Sequence, residues 1–404
     1  MTMLKMILLM ALAVFVAAAA LVFAVDFSFY LRDRYCRFHI GRWADSGIWQ
    51  AALEKQAAKW LEHTPTVKIT DNSRYMLLDF AMGRYRSHSI QSWQKAALIL
   101  AFLESGRPDL AVRAKKTASG LLDPQGNWRK PPVAVDCGML SYAVLLACGP
   151  EACRPAMDNS ITIIKNHMHK SGMISYTGSA DNPEMYVDTL GLVCPFLMLY
   201  AKSYDCPEIA RSAVFQLEMY HQYGILPGTS LPNHAFNVDS KLPLGVYGWG
   251  RGVGWYLIGL LDSLQNTKEL RQRKLICSFL REAAEYYMPF QRPDGGFGSI
   301  VQRPDTYDSS ATAVLAWFYL SCAAIFEESS YREIADRCFS KLRSVTRITG
   351  SIDWCQGDTK GIGIFSQTYS IMPFAQGMAL RALYQREKTA QAISAIYTGE
   401  SNGQ

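Results

Sequence analysis

From residue 46 onward, apolar positions recur at intervals of three and four through most of the chain, as in Ala134–Ala147, Val187–Ala201 and Ala311–Ile325. That period lays apolar side chains along one face of an α-helix. It predicts helices over 46–62, 73–88, 90–105, 107–121, 136–149, 156–169, 187–203, 206–222, 252–265, 269–290, 309–326, 330–346 and 372–386. Turn signals separate them, among them Asp123-Pro124-Gln125-Gly126, Leu226-Pro227-Gly228-Thr229 and Arg292-Pro293-Asp294-Gly295-Gly296. Alternating, strand-like runs are few and short. The helices fall into pairs. The more apolar member of each pair follows a loop rich in Asp, Gly or aromatic residues, with starts near 136, 188, 252, 309 and 372. A helical hairpin cannot bury its inner face alone, so neighbouring hairpins must stack. Six of them closed in a ring make an all-α, six-hairpin α/α toroid, and an open helical solenoid is the competing arrangement. Closure is favoured because it gathers the polar and aromatic loops at one end, around a funnel-shaped pocket.

The N-terminus breaks the pattern. Met6 to Val25 is an unbroken apolar run, and as a helix it spans about 30 Å, enough to cross a bilayer. A secretory signal has a shorter apolar region, roughly 7–15 residues, and a small-residue cleavage site. An uncleaved single-pass anchor is therefore expected, with the membrane as a partner. Lys5 precedes the run, and Arg32, Arg34, Arg37 and Arg42 follow it. This asymmetry favours a cytoplasmic catalytic domain, although an anchor that exports the domain stays open. The expected organisation is an anchor and juxtamembrane segment over 1–45, an α/α barrel catalytic domain over 46–390 and a tail over 391–404.

Composition narrows the function classes. With 49% hydrophobic residues in 404, the chain is neither disordered nor short of core. Its net charge of +6 comes without a dense Lys/Arg run or a nucleic-acid motif, so no nucleic-acid partner is expected. Of ten cysteines, Cys148, Cys194, Cys277, Cys322 and Cys338 lie inside apolar helical patterns. No CxxC pair or zinc-type spacing accompanies them, which points to reduced structural thiols and to no metal site. Oligomeric state is not legible.

Candidate chemistry gathers at the loops that open the apolar helices. Asp136 opens one in Val135-Asp136-Cys137-Gly138, and Asp188 another in Tyr186-Val187-Asp188-Thr189-Leu190. Each could simply cap its helix. A carboxyl with apolar neighbours or a second carboxylate beside it instead holds its proton near neutral pH, as a general acid must. In Trp249-Gly250-Arg251-Gly252-Val253-Gly254-Trp255, the tryptophans offer flat faces to a sugar and Arg251 a charge to a carboxylate. Packing of two core tryptophans is the alternative. His234 lies in a loop just upstream. Asp308 and Ser309 start a further helix, as caps or as ligand contacts. There is no Gly-x-Ser-x-Gly elbow, P-loop or His-Glu-x-x-His, and no strand precedes Gly250, Gly252 and Gly254 to make a dinucleotide site.

Taken in order, these segments resemble the unsaturated glucuronyl and rhamnogalacturonyl hydrolases, glycoside hydrolase families 88 and 105. His234-Ala235-Phe236-Asn237, Asp308-Ser309-Ser310-Ala311-Thr312-Ala313, Trp354-Cys355-Gln356-Gly357 and Pro373-Phe374-Ala375-Gln376-Gly377 add to the match, which covers roughly residues 70–385. The resemblance implies a six-hairpin barrel and a hydrolase without metal or cofactor. Its substrate would be an oligosaccharide carrying a 4,5-unsaturated uronic acid, removed from the non-reducing end by hydration of the vinyl ether. By position, Asp188 matches the general acid/base and Asp136 the second aspartate. His234, Trp249, Arg251 and Trp255 match pocket residues. Val253 stands where the family often carries Asn or Gln, and Asp308 where it often has Glu. Another enzyme on the same barrel (an epimerase, a lyase or a hydrolase of saturated glycans) and a non-catalytic glycan-binding envelope protein are the alternatives.

Overall fold

Amphipathic helices outside and almost wholly apolar ones inside make two concentric layers. The computed structural model describes residues 3–65, 92–176 and 181–398, together with positions 77 and 82. The helix expected over 73–88 lies outside them except at those two positions. The inner layer comprises α3 (Ser92–Glu104), α5 (Cys137–Cys148), α7 (Asp188–Tyr204), α9 (Gly250–Asn266), α11 (Ser309–Phe326) and α13 (Pro373–Thr398). Each packs against the next and α13 returns to α3, so the ring is closed. The outer partners are α2 (Ser46–Glu62), α4 (Pro108–Ser119), α6 (Pro150–Asn166), α8 (Pro207–Tyr223), α10 (Leu270–Tyr287) and α12 (Ser330–Ser344). Prolines in the first turns of α4, α6 and α8 start these helices where no backbone N–H is needed. α11 is long and apolar enough to cross a membrane, yet most of it is buried in the barrel.

Most boundaries fall within two residues of expectation. α6 is an exception: it begins at Pro150, ahead of the expected 156, and carries Pro155 inside it. The turn at Gly126 packs over that proline and its carbonyl accepts the Ala156 N–H at 3.1 Å, so the broken ladder serves a tertiary contact. α13 runs to Thr398, past the expected 386.

Neighbouring inner helices meet closely near their starts. A Cβ on Gly138 of α5 would sit 2.4 Å from the Leu192 carbonyl oxygen of α7, and one on Gly191 of α7 would sit 2.6 Å from that of Trp255 on α9. Only glycine lets the first turns of these helices approach so near. Short strands occupy the loops ahead of them. β1 (Glu184–Tyr186), β2 (Ala235–Asn237) and β3 (Pro243–Leu244) form one antiparallel sheet, with Tyr186 opposite Ala235. β4 (Cys355–Gln356) pairs with β5 (Tyr369–Ser370). All these loops lie at the end where the inner helices start, the mouth.

Helix α1 (Met3–Phe38) is a single unbroken helix of 36 residues, whose apolar window has mean hydropathy 2.9 and is exposed throughout. Its last turns dock on the barrel. Asp33 pairs with Arg347 at 2.8 Å and Arg37 with Asp353 at 2.7 Å. All ten cysteines are free thiols.

Candidate active site

Asp188 is the first residue of α7, and β1 leads the chain into it. The Val187 N–H donates to the His234 carbonyl at 3.0 Å, so the small sheet brings His234 beside the α7 start. His234 Nε2 stands 3.7 Å from Asp188 Oδ2. Its Nδ1 accepts the Gly363 N–H at 3.0 Å, which leaves the ring proton on Nε2, directed at the carboxyl. Burial, aided by Arg251, lowers the His234 pKa to about 4, so the ring stays neutral.

Neither Asp136 nor Asp188 caps its helix: no side-chain capping bond forms at either start. Asp188 Oδ2 has no hydrogen-bond partner although the atom is buried, while the side chain as a whole keeps 15% exposure. Burial raises the Asp188 pKa to about 7. The charge of Asp358 adds to the rise, and Arg251 and the Trp255 indole oppose it. Burial likewise raises Asp136 to about 6, against a hydrogen bond donated by Ser92 Oγ at 2.9 Å and with a contribution from Asp358.

Asp358 completes a trio of carboxyls that local sequence patterns did not reveal. Its own pKa is raised by burial and partly restored by Arg251, whose Nη2 lies 3.8 Å from Oδ1. The Tyr176 phenol feels all three carboxylates, and burial with their charges pushes its pKa well above the usual value. An acidic residue in the glycine-rich loop Gln356-Gly357-Asp358-Thr359-Lys360-Gly361 was the available signal.

Arg251 is almost fully buried and does not project a free fork. Nη1 donates to the Gln356 carbonyl at 2.6 Å and Nη2 to the Gly357 carbonyl at 2.8 Å. The guanidinium therefore fixes the loop that carries Asp358, in place of the expected open carboxylate clamp, and its charge reaches Asp188 through space. Its Cζ lies 5.1 Å from the Trp249 ring centre. Trp249, His234 and Phe365 stack in one cluster, with Tyr186 edge-on to His234. Trp255 packs deeper, between Trp93 and Phe374.

Asp308 stands apart from the pocket wall. It is fully buried and caps α11, accepting from the Ser310 N–H at 2.9 Å, the Ser310 hydroxyl at 2.7 Å and the Gln356 N–H at 3.2 Å. The cap replaces the expected ligand contact. Ser309 is also buried, and its hydroxyl has no partner. Two recesses on the outer wall, of about 570 Å³ between α8 and α10 and about 430 Å³ between α6 and α8, hold none of these groups. Among the described residues, no cluster of His, Cys, Asp or Glu is arranged to hold a metal ion.

A carboxyl whose pKa is raised to about 7, beside a neutral imidazole and packed among aromatic rings, can give and take a proton at neutral pH. Residues 69–390 match the model of Glycosyl Hydrolase Family 88. The chain belongs to that family and is a glycoside hydrolase. Among solved structures, a possible member of the GH105 family from Salmonella enterica serovar Paratyphi A has a TM-score of 0.69 at 17% identity, over 86% of this chain and 96% of that one. An unsaturated glucuronyl hydrolase specific for heparin gives 0.61 at 17% identity, over 85% and 98%. A polysaccharide lyase gives 0.57 at 14%, over 84% and 98%. At these identities the likeness is one of fold. No curated protein matches the sequence.

Proposed function

We propose that this hydrolase removes a 4,5-unsaturated uronic acid from the non-reducing end of an oligosaccharide. The observation that carries the reading is Asp188: a carboxyl with pKa near 7, one oxygen unpartnered, and His234 beside it. A group poised at neutrality can both give and take a proton. In the reaction, Asp188 delivers its proton to C4 of the vinyl ether. Water adds at C5 and loses a proton to the resulting carboxylate. The hemiketal so formed collapses, the ring opens and the aglycone leaves. Asp136 holds sugar hydroxyls, Asp358 keeps the Asp188 pKa high, Trp249 walls the ring, and Trp255 supports the Asp188 carboxyl from behind. His234 orients the acid, and the field of Arg251 favours the anionic uronate. Ser309 is buried behind this wall at the α11 start.

The test is consumption of the ultraviolet absorbance of the unsaturated bond. Asp188→Asn should lower the rate about 10²–10⁴-fold with the helical fold intact. Undiminished turnover by that variant overturns the assignment. The polysaccharide lyase on a similar barrel favours a second reading, elimination, in which absorbance on a saturated uronate polymer would rise.

We further propose that α1 is an uncleaved anchor, with the catalytic domain over 46–390 and the tail over 391–404. The helix runs without a break from the apolar run into its docked turns, so a cut near residue 25 would fall inside it. The free thiols and the arginines after the run support a cytoplasmic domain.

A further inference from the structure

Where the anchor meets the barrel decides which way the barrel faces. The apolar run ends at Val25, and the next residue, Asp26, is buried and accepts the Leu77 N–H at 3.1 Å. Leu77 belongs to the connection between α2 and α3. Lower on α1, Arg37 reaches Asp353 and the Tyr369 carbonyl. Asp353 adjoins Trp354, whose carbonyl accepts the Ser309 N–H at the start of α11. The Arg37 contacts lie at the end where the inner helices start, and one unbroken helix joins them to the span. No free linker separates the span from the rim, so the rim cannot drift from the membrane surface.

Two more features fit this placement. The docked half of α1 leaves Phe27, Phe29, Tyr30, Tyr35 and Phe38 exposed, with Arg32 and Arg34 among them. Aromatic rings mixed with arginine are the composition of the headgroup layer. The mouth loops themselves expose Val133, Leu242, Val246, Trp354 and Ile364, interleaved with exposed Arg129, Lys130 and Lys241. Trp354, at φ 60°, keeps 46% exposure although one side of its ring lies against Tyr369. Apolar tips among cations suit an anionic bilayer surface.

We infer that the mouth rim rests on the bilayer, so that the site takes a uronyl glycan carried on a membrane lipid rather than one arriving from bulk solution. The inference rests on the anchor and on the unsaturated-uronate reading above, and its test separates all three. The full-length protein is placed in nanodiscs containing spin-labelled lipid. An environment-sensitive fluorophore is introduced at position 12, 242 or 270 as a noncanonical amino acid, because ten native cysteines would compete for a thiol label. Position 12 lies in the span, 242 on the rim and 270 at the far end. Quenching at 12 and 242 but not at 270 is expected. No quenching at 12 removes the anchor. Quenching at 12 with 242 and 270 equally unquenched leaves the anchor and overturns the orientation. The paired variant Leu242→Asp with Val246→Asp is then compared on an unsaturated disaccharide coupled to a phospholipid and on the free disaccharide. A several-fold loss confined to the lipid-borne substrate is expected, and an equal effect on both overturns the substrate inference. Turnover of neither by wild-type protein sinks the uronate reading, while the quenching result still reports the orientation.

Discussion

Three acidic residues meet three different fates within one end of the barrel. Asp308 is paired with donors on both oxygens, so burial leaves it a structural cap. Asp308→Ala should cost about 2–4 kcal/mol, since it removes the cap and orphans the buried Gln356 N–H; urea unfolding measures it. Asp188 has no such partners, and its environment holds the proton on. Asp358 supplies part of that hold through its charge, while pairing with Arg251. Asp358→Asn removes a negative neighbour and frees Arg251 to stabilise the Asp188 carboxylate. Both changes make ionisation easier, so the Asp188 pKa falls. Activity that needs the protonated acid should decline on its alkaline limb near pH 7 in the wild type and at lower pH in the variant. The pH dependence of kcat/KM checks the direction.

The helices were legible because apolar period is a local property. The pairing of amphipathic with all-apolar segments, and the polar loops ahead of the latter, were enough to specify a ring and its mouth. What local pattern could not supply is how those loops interlock. Asp136, Asp188 and Asp308 look alike in sequence, each ahead of an apolar helix, and only the neighbours brought in by other hairpins separate cap from acid. Asp358 sits in a loop with no periodicity, and its place depends on Arg251, which is more than a hundred residues away. Pro155 reads as a break, yet a turn from another hairpin compensates it. The glycines at inner-helix starts belong to the same class of long-range fact. Gly191→Ala would push a methyl to 2.6 Å from the Trp255 carbonyl oxygen and 2.8 Å from its ring. α7 and α9 must then part, at a cost of about 1–3 kcal/mol. Because Asp188 and Trp255 ride on those two helices, kcat should fall more than the thermal midpoint alone explains. Kinetics at a temperature where the variant is fully folded separates the two effects.

Buried charge is arranged differently in the site and at the far end of the barrel. In the site, Asp188 and Asp358 share one arginine that donates its hydrogen bonds to carbonyls, Asp136 has no such partner, and all three pKa values rise. At the far end, Arg381 of α13 is wholly buried and makes direct pairs with Asp262 of α9 and Glu104 of α3, each at 2.7 Å, while lying 4.2 Å from the Trp317 ring centre of α11. Four of the six inner helices thus meet at one cation. A buried cluster of this kind adds little net stability over apolar packing, but removing one partner strands a charge. Arg381→Met should therefore cost about 3–5 kcal/mol at neutral pH. The sign of its pH dependence follows from what remains. Without Arg381, buried Asp262 holds its proton more tightly in the folded chain than in the unfolded one. Stability in the variant then falls as pH rises through that higher folded pKa, and the deficit shrinks in mild acid. Adding Asp262→Leu and Glu104→Gln should recover most of the loss at neutral pH by removing the stranded charges. The mouth residues touch none of these groups, so KM and the alkaline limb of folded variants should match the wild type. Urea titrations at several pH values, beside kinetics on the same preparations, measure both halves of the claim.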